Sequence, residues 1–446
     1  MIKKVLIANR GEIAVRIIRA LRELGIESVA VYSTADKMAL HTQLADEAIC
    51  IGPPSASESY LNMERIISAI IVSGADAIHP GFGFLSENAA FAKLCEDCNI
   101  TFIGPSHKII DTLGNKSNAK ETMMKAGVPV ILGSKNSITN MEEGLVIAEE
   151  IGFPVIIKAA LGGGGKGMRV AYNAQDFKVS FDNAKKESRQ AFSDERMYIE
   201  KFIQNPRHIE FQILADKYGN TIHLGERECS IQRNHQKLLE EAPSVAISDE
   251  LRKEMGDIAI KAARASDYEN AGTIEFLLDK DNHYYFMEMN TRIQVEHPVT
   301  EAVTGIDIIK EQISIAEGNE LRYKQEDIEI KGHAIECRVN AEDPEENFRP
   351  SPGKILELHM PGGNGIRVDS AVYQGVEISP YYDSMIAKLI VHGSNRQEAI
   401  RKMESALGEF VVTGIKTNIN FQNRIINDTR FLEGNVDINF IDKLGE

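Results

Sequence analysis

From Glu288 to Glu296 a polar side chain stands at every second position: acid, amide, guanidinium, amide, acid (Glu288, Asn290, Arg292, Gln294, Glu296). No other stretch constrains the fold as tightly, because an extended chain turns alternate side chains to one face. The plain reading is a half-exposed edge strand with a solvated polar side. Two details point instead to a row that faces a ligand. The run before it, Tyr284-Tyr285-Phe286-Met287, is continuously apolar, as in a buried strand. A guanidinium flanked by two amides and two acids also suits anions and a metal.

At 446 residues the chain exceeds what one core normally serves, so two or three domains are expected. An apolar fraction of 43% with 26% charged residues fits a globular enzyme. The net charge of −16 argues against nucleic-acid binding. No apolar run approaches the ~20 residues that span a bilayer, and no export signal opens the chain. Five cysteines, an odd number, suggest a reducing, cytoplasmic setting. Cys95 and Cys98 form a C-x-x-C inside a predicted helix, 87–99, where they are expected to share a face rather than bind metal.

Residues 1 to about 113 alternate strand and helix. Apolar runs predict strands at 5–8, 28–32, 77–79 and 101–103. Ile13, Ile17, Leu21 and Leu24 mark a helix by their spacing, and a second is expected over 61–73. This is a doubly wound α/β pattern with a parallel sheet. Its first turn, Asn9-Arg10-Gly11-Glu12, lacks the glycines of a dinucleotide site. Further on, helices are expected at 117–125 and 249–265, with strands at 208–215, 221–227, 272–278 and 284–290. From about 331 a mixed α/β pattern returns.

Lys158 and Lys166 bracket a loop containing Gly162, Gly163, Gly164 and Gly165. Glycines this dense cannot stabilise a helix or strand, but their N–H groups can wrap a polyphosphate. No Gly-Lys-Ser/Thr enters a helix, so a strand–loop–strand lid is expected rather than a Walker A loop. Glu275 and Glu288 fall on predicted adjacent strands joined by Asp279-Lys280-Asp281-Asn282, good hairpin chemistry. Two acids meeting there need a cation between them. With Asn290 adding a neutral oxygen on the same face, an all-oxygen ligand set makes Mg²⁺ or Mn²⁺ the expected ion. The polar clusters at 200–208 and 229–237 read, taken alone, as solvated loops.

Lys158 with the glycine loop, Glu200-Lys201, Arg233-Asn234-His235-Gln236-Lys237 and the run from Glu288 to Pro298 occur in this order. Together they resemble the biotin carboxylase family of the ATP-grasp superfamily. The resemblance runs from Ala8-Asn9-Arg10-Gly11-Glu12 to Gly414-Ile415-Lys416-Thr417-Asn418, nearly the whole chain. It implies a Rossmann-like N-terminal domain over 1–113. An ATP-grasp domain over 114–330 with a mobile Gly-rich lid at about 130–203 would follow, then a mixed α/β C-terminal domain over 331–446. It also implies an ATP-dependent ligase in which bicarbonate attacks the γ-phosphate and the resulting carboxyphosphate carboxylates biotin on a carrier protein.

By the same resemblance Lys116, Lys158, Gly164, Gly165, Glu200, Lys201, Phe202, Ile203, His208, Gln232, His235, Glu275 and Glu288 would hold ATP. Glu275, Glu288 and Asn290 would hold Mg²⁺ or Mn²⁺. Lys237, Arg292, Gln294, Val295 and Glu296 would bind bicarbonate, with Glu296 taking its proton, and Arg338 would stabilise the biotin enolate. Lys237, Arg292, Glu296 and Arg338 are thus the expected catalytic set. Where the family commonly has tyrosine and arginine, this chain has Phe82 and Lys166.

No biotin-attachment motif is present, so a biotin carboxyl carrier protein and carboxyltransferase subunits are expected on other chains. A homodimer is the family precedent. Acetyl-CoA carboxylase is the expected parent, with pyruvate or propionyl-CoA systems, another ATP-grasp carboxylate–amine ligase, or an NAD-binding module as alternatives. Fully extended, Glu288 and Glu296 would lie ~26 Å apart, so the implied roles divide the row into a metal end and a bicarbonate end. The strand is therefore expected to stop near Asn290 or Arg292 and the rest of the row to curl into a loop, with His297-Pro298 turning the chain.

Overall fold

The computed structural model describes residues 1–134, 136–160, 168–192 and 194–444. The chain divides into two compact units. The first comprises Met1–Val128, Arg207–Phe276 and Glu288–Glu446, the second Pro129–Pro206 and Leu277–Met287.

The first unit opens with a five-stranded parallel sheet of β1 (Lys4–Ile7), β2 (Glu27–Ser33), β3 (Glu47–Gly52), β4 (Ala77–His79) and β5 (Thr101–Phe102), in the order β3-β2-β1-β4-β5. This is the expected doubly wound pattern; β3, with its half-exposed alternation, escaped the sequence reading. Helix Gly11–Leu24 buries Ile13, Ile17 and Leu21 and ends at Gly25, whose φ of 70° supplies the left-handed cap. Helix Met63–Ser73 starts two residues later than expected because the Asn62 side chain accepts the Arg65 N–H. The C-x-x-C helix spans only Ala89–Asp97. Cys95 is buried in it while Cys98 is its exposed C-cap, so the two do not share a face.

The second unit carries a three-stranded antiparallel sheet of β6 (Val155–Ala159), β7 (Met168–Ala171) and β8 (Met197–Lys201), ordered β7-β6-β8. β6 and β7 pair from Val155↔Ala171 to Lys158↔Met168, the expected strand–loop–strand. The glycine run between them, with Gly164 and Gly165, lies outside the described residues. Phe177, Phe181, Ile157 and Ile199 form this unit's own core.

The remaining long strands are β9 (Arg207–Ala215), β10 (Thr221–Arg233), β11 (Gln236–Ala242), β12 (Asn270–Leu278), β13 (Tyr284–Asn290) and β14 (His333–Asn340). With Met385–Gly393 and Ile366–Ser370 they make an eight-stranded sheet, ordered β13-β12-β9-β10-β11-β14 and then those two. β14 pairs with β11, so the sheet continues past residue 331 without a break. Residues 229–237 are not the solvated loop expected of them taken alone. They close a tight β10–β11 hairpin, with Arg233 opposite Gln236 and positive φ at Asn234 (50°) and His235 (63°).

β13 ends at Asn290, as the divided row required. It is nonetheless an edge strand, and its apolar run alternates buried Tyr284 and Phe286 with half-buried Tyr285 and Met287. His297-Pro298 opens a helix, His297–Thr304, with proline in its first turn.

Candidate active site

Buried strands of the large sheet would normally be apolar, yet β9 carries His208, Glu210 and Gln212 on one buried face. In the β9–β10 register Glu210 lies directly opposite Arg227, a guanidinium with no exposure at all. Arg227 donates to Glu210 Oε1 at 2.6 Å, to Gln212 and Thr300 at 2.9 Å, to Thr273 at 3.1 Å and to Gln294 at 3.2 Å. Each of its N–H groups thereby finds a partner away from water, which a buried guanidinium requires.

Lys237 is the hub. Its ammonium donates to Glu210 Oε2 at 2.6 Å, Glu296 Oε1 at 2.6 Å and Glu275 Oε1 at 3.2 Å. The same Glu275 oxygen accepts from Asn290 and from Gln294, each at 2.8 Å. Glu296 Oε2 accepts from Arg338 at 2.9 Å, and Arg338 Nε in turn donates to Glu240 Oε1 at 2.7 Å.

The structure thus folds the divided row back on itself. Asn290, Gln294 and Glu296 all meet around Glu275 and Lys237, so the expected metal and bicarbonate ends of the row adjoin once the chain leaves the strand. The chain can do this because it leaves the strand at Asn290 and curls through residues 291–296 before the next helix.

Other expected residues sit nearby or apart. His208 Nε2 lies 2.9 Å from Glu275 Oε2, and Gln232 lies 3.0 Å from His208 Nδ1. His208, expected among the ATP residues, is thus in direct contact with Glu275. Arg292 donates to Glu87 at 2.8 Å and to the Asn290 amide oxygen at 3.1 Å. Val295 offers its carbonyl to Lys388. Glu288 Oε2, partly open to solvent, lies 3.5 Å from the exposed Lys116 Nζ, and His235 is exposed on its hairpin turn. In the second unit, Lys158 donates to Glu200 at 2.6 Å, and Lys201 donates to the carbonyls of Gly152 and Phe153. Phe202 and Ile203 follow directly and are half-buried. Phe82 contributes its carbonyl, which accepts from Asn9 at 2.8 Å.

Sequence reading missed Glu210, Arg227, Glu240, Glu336 and Glu87. The signal was present for most of them: polar residues at alternate positions of otherwise apolar strands, as in His208-Ile209-Glu210-Phe211-Gln212 and Glu336-Cys337-Arg338.

The electrostatics follow from this packing. Burial pushes the Glu296 carboxyl up, but Lys237, Arg338 and Arg227 outweigh it and hold Glu296 well below the usual carboxylate range. Glu275 is held low in the same way, by Lys237 and His208 against burial. Burial dominates at Glu240, pushed up to about 7 against the pull of Arg338, and at Glu336, raised well above its ordinary value. Lys237, Arg227 and Arg338 are three cations facing five buried acids, Glu210, Glu240, Glu275, Glu296 and Glu336. Burial raises Glu336 and Glu240 against the pull of Lys388 and Arg338, which lessens the excess of buried negative charge.

The ionised Glu275 with Asn290 beside it, and Glu288 partly open to solvent, are hard oxygen donors that fit Mg²⁺ or Mn²⁺. Such a cluster can hold a small anion beside an ionised carboxylate and a polyphosphate beside a divalent cation.

Family comparisons agree with this chemistry. Residues 1–110 match the biotin carboxylase N-terminal domain, and 115–324 the ATP-binding domain of the carbamoyl-phosphate synthase L chain. Residues 336–443 match the biotin carboxylase C-terminal domain. Biotin carboxylase 1 of Bacillus subtilis is 59% identical over 443 residues, 99% of this chain and 98% of that protein. A pyruvate carboxylase subunit of Methanothermobacter thermautotrophicus is 54% identical over 99% of this chain and 90% of its own length. The biotin carboxylase domain dimer of Hydrogenobacter thermophilus 2-oxoglutarate carboxylase, solved with MgADP, ADP and bicarbonate, is 51% identical. It superposes with a TM-score of 0.90 over 99% of this chain and 98% of that one. With all three domains matched in order and more than half of its residues shared with such relatives, the chain belongs to the biotin carboxylase family.

Proposed function

We propose that this protein is an ATP-dependent ligase that carboxylates biotin on a biotin carboxyl carrier protein, with bicarbonate as carbon source. The observation that carries this reading is Glu296, an ionised carboxylate seated between Lys237 at 2.6 Å and Arg338 at 2.9 Å. Bicarbonate is bound at Lys237, Arg292, Gln294, Val295 and Glu296, where a guanidinium fork suits a planar anion.

Glu296 takes the bicarbonate proton. Its depressed basicity would make it a poor base if nothing changed. An anion on Lys237 and Arg338 shares their charge with Glu296, which raises the carboxylate's proton affinity at the moment it is needed. The bicarbonate oxygen then forms a bond to the γ-phosphorus as the bond to ADP breaks, giving carboxyphosphate. The C–O bond of carboxyphosphate to phosphate then breaks, the ureido N–H proton leaves on the released phosphate, and the carboxyl carbon bonds to the biotin ureido nitrogen, with Arg338 stabilising the enolate.

Lys116, Lys158, Gly164, Gly165, Glu200, Lys201, Phe202, Ile203, His208, Gln232, His235, Glu275 and Glu288 hold ATP. Glu275, Glu288 and Asn290 would hold Mg²⁺ or Mn²⁺, which would supply charge neutralisation for the phosphates. Residues 114–330 would form the ATP-grasp domain, with 1–113 and 331–446 on either side.

An acetyl-CoA carboxylase is the proposed parent, with carboxyltransferase on other chains and this chain acting as a homodimer in the cytoplasm. The similarity to part of a pyruvate carboxylase favours a split pyruvate system as the second reading. The biotinylated carrier that co-purifies with the chain separates the two. The activity is tested by incubating the protein with ATP, Mg²⁺, bicarbonate and biotin and measuring ADP. Formation that requires bicarbonate and rises with biotin is expected; indifference to both refutes the reading.

A further inference from the structure

Strand Met385–Gly393 places Lys388 inside the large sheet with no exposed surface. A lysine buried this completely needs a reason, because hydrophobic residues of similar volume often serve stability as well or better. Its register sharpens the question. Lys388 lies directly opposite Arg338 on β14, and like charges facing each other across a sheet are destabilising. Arg338 is taken up by Glu240 and Glu296. Asp369, opposite Lys388 on the other side, is taken up by Arg367 through two contacts of 2.9 and 2.6 Å.

Lys388 turns elsewhere. Its ammonium lies 3.2 Å from Glu12 Oε1 and donates at 2.9 Å to the carbonyl of Val295. Glu12 is itself buried, in the first turn of helix Gly11–Leu24. Val295 is joined by its peptide bond to Glu296.

We propose that Lys388, paired with Glu12, is a positioning residue for the base: it grips the Val295 carbonyl and so fixes the peptide that carries Glu296. Three distant parts of the chain converge on one peptide: the first helix, the curl after β13 and a C-terminal strand. The curl at 291–296 has no ladder hydrogen bonds; the Gln294 and Glu296 carbonyls are held by His297 and Val299 of the next helix, and between them the Val295 carbonyl is held by Lys388. An ammonium supplies a stronger, charge-assisted contact than a neutral donor would.

This inference rests on the proposed role of Glu296 toward bicarbonate. It is tested in the full-length protein with Lys388→Met, which keeps length and bulk, and with the double variant Glu12→Gln/Lys388→Met, which leaves no unpaired buried charge. ADP formation is measured while bicarbonate and ATP are varied separately. The double variant is expected to retain the KM for ATP within about twofold. Its KM for bicarbonate should rise, or its bicarbonate-dependent kcat fall, by about tenfold or more, the scale of a small misplacement at a reacting centre. Lys388→Arg, which can still donate to the carbonyl, should recover part of the loss.

A single variant that fails to fold leaves the uncharged double variant to decide. Equal loss toward ATP and bicarbonate, failure of both variants to fold, or wild-type kinetics in the double variant overturns the positioning role. If the wild-type protein itself shows no bicarbonate dependence, the proposed function fails instead, and the two failures are told apart.

Discussion

Glu296→Gln tests the mechanism most directly. The carboxylate accepts from two cations, Lys237 at 2.6 Å and Arg338 at 2.9 Å. A glutamine has one acceptor oxygen, and its amide nitrogen would face the second cation donor to donor. One charged hydrogen bond is therefore lost, worth roughly 1.5–3 kcal/mol of stability. The remainder holds, because Lys237 keeps Glu210 and Glu275 and Arg338 keeps Glu240. That loss is tolerable for a protein with roughly 5–15 kcal/mol in hand.

The catalytic loss is separate. A general base contributes roughly 10²–10⁴-fold, or about 3–5 kcal/mol at about 1.36 kcal/mol per tenfold. Bicarbonate-dependent ADP release should drop by at least about a hundredfold on this scale, while ATP affinity, read by calorimetry, stays nearly intact. Turnover within about tenfold of wild type, with ATP binding unchanged, would remove Glu296 as the base.

Arg338→Ala should impair biotin-stimulated turnover far more than ATP binding; equal losses would contradict the role proposed for it toward biotin. Arg227→Met removes the one cation that satisfies Glu210 Oε1, Gln212, Thr300, Thr273 and Gln294 together. It should cost about 3–5 kcal/mol and lower the denaturation midpoint, and an unchanged midpoint would refute the account of the network. Glu240, raised to about 7 from 4.5, keeps its proton in the folded state where the unfolded chain has lost it. Its contribution to stability is therefore present below about 4.5 and lost as pH rises to about 7, by on the order of 3 kcal/mol. The melting temperature of Glu240→Gln relative to wild type should accordingly climb as pH rises from about 4.5 to about 7, and a flat difference would refute it.

Much of the fold was legible because it is written in local periodicity. Helix Asp249–Ala265 and strand Tyr284–Asn290 fall where their apolar spacing puts them, and the turn between β12 and β13 uses the Asp-Lys-Asp-Asn chemistry that announces it. Where polar residues interrupt an apolar strand the reading faltered. The hairpin at Asn234 and His235 looked like a solvated loop because its strands are polar on the side that faces the site. The helix opened by His297-Pro298 was read only as a change of direction, since proline at a first turn and proline at a bend look alike in a short sequence window.

By itself the sequence determined the family and much of the order of its elements, because side-chain identity and spacing are local properties. Only the tertiary structure decided which acids, amides and cations meet. The end of β13 and the curl after it were expected, but that Glu275, Asn290, Gln294 and Glu296 gather around one lysine follows only from the packing. Glu210, Arg227, Glu240 and Lys388 lie on separate strands that become neighbours through sheet register. Their burial, not their identity, sets which acids stay ionised and which keep a proton, since desolvation and opposing charge compete only once the groups are packed together.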